Sequence, residues 1–274
     1  MGNRDIVYLQ EKAKIIRLGI LEALGVNNKG HLGGSMSVAD VVAALYFYKM
    51  NHSPDRMHDS DRDRFVLSKG HSALAQYAAL AECGYFSKSE LAKTKTLGAM
   101  LQGHPERDYT PGIECNTGSL GQGLSIGLGM ALGGKLDGKD YKVYVILGDG
   151  ELGEGQVWEA VTAANFYKTD NLVAIIDHNK LQATGPIKEC IDIGNIGAKF
   201  SAFGWKTFEI DGHDMEAIVD ALDEVDKVKG VPCAIIAHTV KGKGVSFAEN
   251  VPGFHNGALN AEQFKQAKLD ISNM

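Results

Sequence analysis

The stretch LGDGELGEG, residues 147–155, places carboxylates in a glycine-rich loop directly after an apolar run. Gly148, Gly150 and Gly153 match the G-x-G-x-x-G pattern of dinucleotide-binding turns, in which backbone N–H groups approach a pyrophosphate. Asp149 argues against that interpretation, because a carboxylate a few ångströms from a phosphate is repelled by about 4 kcal/mol at an effective dielectric of 20. A bridging cation would reverse the sign of this interaction.

A second candidate cation ligand, Asn179, follows the next apolar run, residues 172–176. One helix and one strand fill the interval between Asp149 and Asn179, so both would lie at the same edge of adjacent parallel strands. Mg²⁺ takes oxygen ligands and commonly joins one or two protein groups to substrate phosphates. The pair therefore predicts a magnesium site. The alternative is a turn capped by Asp149 and a strand-end asparagine without a ligand.

Histidines next to glycines form a second set of candidates. Glycine precedes His31, His71, His104 and His213, and His255 stands in the string Phe-His-Asn-Gly. Glycine beside histidine suits a loop whose backbone must approach a ligand. Histidine can move protons near neutral pH, because its unperturbed pKa is about 6.5. One such histidine is usually structural, but several in separate loops favour a common site.

The second half of the chain predicts the elements that would position these residues. We predict strands at residues 142–147, 172–177, 205–210 and 233–239, separated by helices at 154–167, 196–203 and 214–228. Short continuous apolar strands are expected when both faces of a sheet are covered. Strand–helix alternation indicates a parallel sheet with right-handed crossovers. The predicted fold class is therefore α/β, a parallel sheet with helices on both faces.

The first half is less regular. It predicts helices at 6–24, from Ser35 or Ser37 to 48, at 72–83 and at 120–136, with a short strand at 65–67, a capping box at 87–90 and a loop over 94–117. The helix at 120–136 contains several glycines, and each glycine costs a helix roughly 1 kcal/mol. We expect close packing against a neighbour or a ligand to compensate.

Composition excludes several functional classes. The chain has 274 residues, a net charge of −6 and 44% hydrophobic residues, which is ordinary for a globular protein and argues against a general nucleic-acid binder. The four cysteines form no C-x-x-C pair and are interpreted as reduced thiols of a cytoplasmic protein. Charges near the N-terminus argue against a signal peptide, and no apolar run approaches the ~18 residues of a membrane span.

Together these strings resemble the transketolase family. The sequence Gly-Asp-Gly followed by Asn179 is similar to the thiamine diphosphate motif. Four further strings resemble transketolase in the same order along the chain: GHLGGS at 30–35, SKGH at 68–71, GHPE at 103–106 and TGSLGQG at 117–123. The similarity spans roughly residues 15–260. It implies a thiamine diphosphate-binding fold, and we expect residues 1–274 to form one domain of this kind.

The resemblance also implies roles for individual residues. The side chains of Asp149 and Asn179 and the carbonyl of Leu181 would hold Mg²⁺, or Ca²⁺ or Mn²⁺, against the diphosphate. Other cofactor-binding positions would be His71, Gly118, Ser119, Leu120, Gly150, Glu154 and His255. The catalytic histidines over the thiazolium would be His31, His71, His104 and His255.

Some positions remain open. Glu154 and Glu159 match acidic positions near the cofactor and the partner interface, or they belong to a solvated helix face. Lys241 and Lys243 could reach an anion. The remaining histidines, His52, His58, His178, His213 and His238, are interpreted as surface or structural residues.

No residue matches the glutamate that binds the cofactor's pyrimidine in the family. The resemblance therefore implies the N-terminal subunit of a split transketolase. With a C-terminal partner subunit, in a heterotetramer, it would transfer a two-carbon ketol unit from a ketose phosphate, or another anionic sugar, to an aldose. Alternatives are a subunit of another thiamine diphosphate enzyme (deoxyxylulose-phosphate-synthase-like or 2-oxo acid dehydrogenase), a nucleotide-binding dehydrogenase domain, or a non-catalytic homologue.

Overall fold

Within residues 4–274, which the computed structural model describes, five parallel strands form one sheet in the order β1-β2-β3-β5-β4. The strands are β1 (Arg64–Leu67), β2 (Val143–Gly148), β3 (Leu172–His178), β4 (Lys206–Asp211) and β5 (Cys233–His238). The α-helices are α1 (Ile6–Leu24), α2 (Leu32–Ser37), α3 (Ala39–Ala44), α4 (Ala73–Glu82), α5 (Gln122–Leu136), α6 (Gly155–Phe166), α7 (Ile187–Cys190), α8 (Ile196–Ala202), α9 (Met215–Lys227) and α10 (Ala261–Ser272). Residues 1–3, part of the argument against a signal peptide, lie outside the described residues.

Two apolar cores, one on each face of the sheet, confirm the predicted α/β fold. Along β2, Tyr144 and Ile146 belong to one core, which also contains residues of α1, α3, α4, α9 and α10. Val143, Val145 and Leu147 point the opposite way, into a second core with α5, α6 and α8. Side chains alternate across a strand, so a strand buried on both faces reads as an uninterrupted apolar run. The predicted strands agree with the observed ones to within a residue or two at each end. Burial on both faces accounts for this in β1, β2, β3 and β5, whereas no residue of the edge strand β4 is buried.

Three local predictions in the first half of the chain were wrong. The helix predicted from Ser35 or Ser37 begins earlier, at Leu32, and is interrupted at Val38 before α3. Neither serine caps it: the Ser35 hydroxyl donates to the His31 carbonyl at 2.7 Å, inside the helix. The predicted capping box at 87–90 lies at the start of a 3₁₀ segment, Lys88–Lys93, where the Ser87 hydroxyl bonds the N–H and the hydroxyl of Ser89 and not the N–H of Glu90.

Helices α7 and α10 were not predicted. α10 is capped by a capping box, a reciprocal pair of hydrogen bonds between Asn260 and Gln263. The loop predicted over 94–117 is confirmed, because the described structure has turns and bends there.

All four cysteines are free. Among residues 4–274, none of the helices combines the length and the apolar character that a membrane span requires.

The glycines of α5 serve different purposes. A Cβ added at Gly127 would lie 2.5 Å from Cγ2 of Val145 in β2, so the absence of a side chain lets the helix approach the sheet closely. Gly129 and Gly133 face the other side, where an added Cβ would meet no atom within 4 Å. The close packing expected from the sequence is therefore confirmed for Gly127 but not for Gly129 or Gly133.

We predict opposite effects for alanine at these two kinds of position. Gly127→Ala should lower the free energy of unfolding of the isolated chain by roughly 1–2 kcal/mol, because overpacking outweighs the gain in helix propensity. Gly129→Ala should raise it by up to about 1 kcal/mol, because only the propensity changes. Urea unfolding monitored by circular dichroism measures both. Equal effects of the two substitutions would contradict this packing.

Candidate functional site

A cavity of about 510 Å³ lies at the carboxyl edge of the sheet, between the loops that follow β1, β2, β3 and β5. The predicted site residues that line it are His31, His71, His104, Gly118, Leu120, Asp149, Gly150, Glu154, Asn179, Leu181 and His255. Ser119 and Glu159 are exposed and do not line the cavity. The loops that were separate in sequence thus contribute to one site.

Asp149 lies directly after β2, and the sheet register determines its surroundings. Gly148 pairs with Asp177 of the neighbouring β3, so the turn after β2 faces the turn after β3. The buried Asp149 carboxylate accepts the N–H of Gly150 at 2.8 Å and the N–H of Lys180 at 2.6 Å. These two bonds join the two turns through one side chain.

Asn179 and Leu181 occupy the turn after β3. Lys180, between them, has a φ of 67°, which reverses the chain direction so that the Leu181 N–H donates to Oδ1 of Asn179 at 3.1 Å. The Leu181 carbonyl points toward the cavity side, where it accepts the ammonium of Lys241 at 2.7 Å. The side-chain oxygens of Asp149 and Asn179 and the backbone carbonyl of Leu181 therefore lie on two adjoining turns.

The charges in this region are incompletely balanced. Burial, and then the negative charge of Asp177, raise the pKa of Asp149 to about 7. Burial, and then the positive charge of Lys69, lower the pKa of Lys241 to about 8. Both shifts show that each group is held in a poorly solvated place without a sufficient partner. A bound cation would stabilise the Asp149 carboxylate, and a bound anion would stabilise the Lys241 ammonium.

Glu151 holds the glycine-rich loops together. Its buried carboxylate accepts the Ser68 hydroxyl, the N–H of Gly121 at 2.9 Å and the N–H of Gly148 at 3.0 Å. These donors come from the end of β1, from the start of α5 and from the end of β2. Gly118 allows the loop before α5 to pass His104, because a Cβ there would lie 2.6 Å from the imidazole Cδ2.

Four histidines converge on one wall of the cavity. The ring centroid of His31 lies 5.1 Å from that of His71, 5.9 Å from His104 and 5.4 Å from His255. An antiparallel bridge between Gly30 and Gly257 brings His31 and His255 together from distant parts of the chain.

All four imidazoles are neutral at pH 7. Burial lowers the pKa of each, and neighbouring histidines and lysines lower it further, to about 4 for His31 and His255 and about 2 for His71. The pKa of His104 is also lowered, by burial and then by Lys95. A neutral imidazole offers one N–H donor and one acceptor nitrogen. The cluster can therefore donate hydrogen bonds to hydroxyl groups and accept hydrogen bonds from them.

Lys241 and Lys243, which the sequence did not distinguish, have different positions. Lys241 is buried and lines the cavity, and its ammonium lies 2.9 Å from Nδ1 of His255. Because an ammonium can only donate, Nδ1 accepts and the His255 proton is on Nε2. Lys243 does not line the cavity, and its carbonyl accepts from Arg17.

The other five histidines do not line the cavity. His213 bonds Asp40 at 2.7 Å and accepts the N–H of Val240, which supports the loop that carries Lys241. Sequence reasoning missed several residues that do line it, among them Gly34, Lys69 and Gln182. Lys69 and Gly34 lie in strings that carried the family resemblance, but only their neighbours were singled out.

Comparisons with known proteins agree with this geometry. Residues 9–272 match the family model described as transketolase, thiamine diphosphate binding domain. The chain is 43% identical over 268 residues to an apulose-4-phosphate transketolase subunit of Phocaeicola vulgatus, covering 98% of this chain and 95% of the relative. It is 43% identical over 265 residues to 6-deoxy-6-sulfo-D-fructose transketolase subunit SqwG of Clostridium sp., covering 97% and 96%.

A solved transketolase structure is also similar to this chain. Transketolase from Campylobacter jejuni superposes with a TM-score of 0.91 at 32% identity, covering 98% of this chain and 43% of that chain. The chain therefore aligns with nearly the whole of the two subunits and with less than half of the solved transketolase.

The raised pKa of Asp149 predicts a pH dependence of stability. The folded chain holds a proton on Asp149 up to about pH 7, whereas the unfolded chain releases it near 4, so this group makes stability fall as pH rises between those values. Asp149→Asn removes that dependence. The free energy of unfolding of the variant minus that of the wild type should increase by roughly 1–3 kcal/mol from about pH 5 to about pH 8.

Urea unfolding in a metal chelator measures this difference. Asp211→Asn is the matched control, because Asp211 ends β4 at the same edge of the sheet but is exposed. A difference for Asp149→Asn that does not change with pH would show that the carboxylate is adequately solvated or paired.

Proposed function

The chain belongs to the transketolase family through its thiamine diphosphate-binding domain, and from this we propose that it is one subunit of a two-chain transketolase. With a partner chain it would transfer a two-carbon ketol unit from a ketose to an aldose, using thiamine diphosphate and a divalent cation. The observation that carries this proposal is the convergence of the Asp149–Asn179 turns and four neutral histidines on one cavity.

The residues at the two turns fit a magnesium diphosphate. Asp149 is a buried carboxylate that lines the cavity, and its raised pKa indicates too little compensating positive charge; Asn179 and the Leu181 carbonyl supply further oxygens. No cluster of three or more His, Cys, Asp or Glu residues among residues 4–274 could hold a metal alone. That suits Mg²⁺, which usually completes its coordination with phosphate oxygens and water.

Other residues would contact the diphosphate. Gly150 lies in the turn after Asp149, and Lys241 presents a buried ammonium beside the Leu181 carbonyl. The ammonium would bind an anionic oxygen there, which would offset the burial that lowers its pKa. Gly118 and Leu120 would pack along the rest of the cofactor.

When bound, thiamine diphosphate supplies the nucleophilic carbon that breaks and forms the ketose C–C bond. The four histidines would orient the sugar, since each neutral ring can accept a hydrogen bond from one hydroxyl and donate to another oxygen. His104 is the least buried of the cluster and is the candidate for contact with the donor's hydroxyl groups. The acceptor's anionic group would be bound largely by the partner chain.

The comparisons and the rim of the cavity support a partner chain. The relatives covered almost end to end are named as subunits of transketolases for apulose 4-phosphate and for 6-deoxy-6-sulfo-D-fructose. Leu120 and Ile191 line the cavity and are 36% and 60% exposed. We propose that a C-terminal transketolase subunit covers this rim, that two chains of each kind form a heterotetramer, and that the substrate is a sugar with an anionic tail.

Ketol transfer by the assembled complex tests the proposed function. His104→Gln should lower kcat/KM for the ketose donor roughly 10²-fold or more, because a hydroxyl contact at the reacting end is lost. His238→Gln is the matched control, since His238 ends β5 outside the cavity. The chain without its partner should show no turnover. Equal losses in both variants, or full turnover by this chain alone, would contradict the proposal.

A further inference from the structure

Asp177, the penultimate residue of β3, is a fully buried carboxylate that does not line the cavity. It accepts the ammonium of Lys69 at 2.6 Å and the hydroxyls of Ser37 and Thr239. Oδ2 thus accepts from Lys69 and Ser37, and Oδ1 accepts from Thr239. The ion pair with Lys69 keeps the carboxylate ionised, and it acts as the acceptor for all three side chains.

The fourth donor to this carboxylate is the side chain of Asn179. Its Nδ2 donates to Oδ2 of Asp177 at 2.7 Å. An ionised carboxylate can only accept hydrogen bonds, so the asparagine must present its NH₂ group to it. The amide oxygen is then forced to the opposite side, where it accepts the Leu181 N–H at 3.1 Å. The chemistry of Asp177 thus determines which end of the Asn179 amide faces the turn.

We propose that Asp177 is a positioning residue for the cation: it orients the Asn179 amide so that oxygen, and not NH₂, faces the metal. The proposal rests on the proposed function, because it assigns Asn179 as a metal ligand. A flipped amide would present N–H groups to a cation and repel it. Lys69 balances the charge of Asp177, and it also donates to the Gly34 carbonyl at 2.8 Å, which fixes the ammonium in place.

The test compares two variants that both lack the buried ion pair. Lys69→Met with Asp177→Leu leaves Asn179 without an acceptor, whereas Lys69→Met with Asp177→Asn keeps an amide oxygen that can accept from it. The two have the same charge, so the comparison isolates the acceptor. Replacing a buried ion pair by apolar residues of similar volume is often neutral for stability, and circular dichroism checks that both variants fold.

The readout is Mn²⁺ affinity, measured by electron paramagnetic resonance on the assembled complex with thiamine diphosphate. The leucine variant should bind Mn²⁺ roughly 10–100-fold more weakly than the asparagine variant, as is usual when a partner of a metal ligand is lost. In an Asn179→Ala background this difference should disappear, because there is no amide to orient. If the leucine variant does not fold, Lys69→Met with Asp177→Ala gives the same comparison.

Other outcomes separate the two claims. Equal Mn²⁺ affinity of the two variants, or a loss that persists in the Asn179→Ala background, would overturn the positioning role. Failure of the wild-type complex to bind Mn²⁺ together with thiamine diphosphate would instead overturn the proposed function.

Discussion

The register between β2 and β3 is the constraint on which the site depends. Gly148 pairs with Asp177, so the chain leaves both strands at the same height and the two turns share the Asp149 carboxylate. A slip of one residue would turn every side chain of β3 to the other face. Asp177 would then point into the apolar core with α5, α6 and α8, away from Lys69. Because β3 is apolar on both faces, its apolar residues alone would tolerate either face. The cost of burying the Asp177 carboxylate without its donors is what disfavours the slip.

Three buried carboxylates near this edge are stabilised in different ways. Asp177 has an ammonium, two hydroxyls and an amide as donors, and Glu151 has a hydroxyl and two backbone N–H groups. Asp149 has only two backbone N–H groups, and its pKa is raised to about 7. Burial also raises the pKa of Glu151, but Glu151 and Asp177 each have a side-chain donor, whereas Asp149 has backbone donors only. That difference marks Asp149 as the group whose environment a bound cation would complete.

Local sequence patterns predicted the strands, the parallel sheet and the loops that line the cavity, because apolar runs and glycine-flanked polar residues are visible over short stretches. The residues that sequence reasoning missed act across long separations. Lys69 reaches Asp177 from 108 residues away, and Ser68 reaches Glu151 from 83. No short sequence pattern predicts such contacts between distant residues. The early start of α2 was missed for a related reason, since the bridge from Gly30 to Gly257 sets the chain direction just before that helix begins.

The difference between Lys241 and Lys243 has the same origin. Their spacing is compatible with either one reaching the site, and the contacts around Asp40, His213 and Val240 decide that Lys241 does. The most direct test of the account is native mass spectrometry of the protein purified from its own cells. We predict a complex with a second, different chain, carrying thiamine diphosphate and a divalent metal. A lone chain, or a homomer without the cofactor, would contradict it.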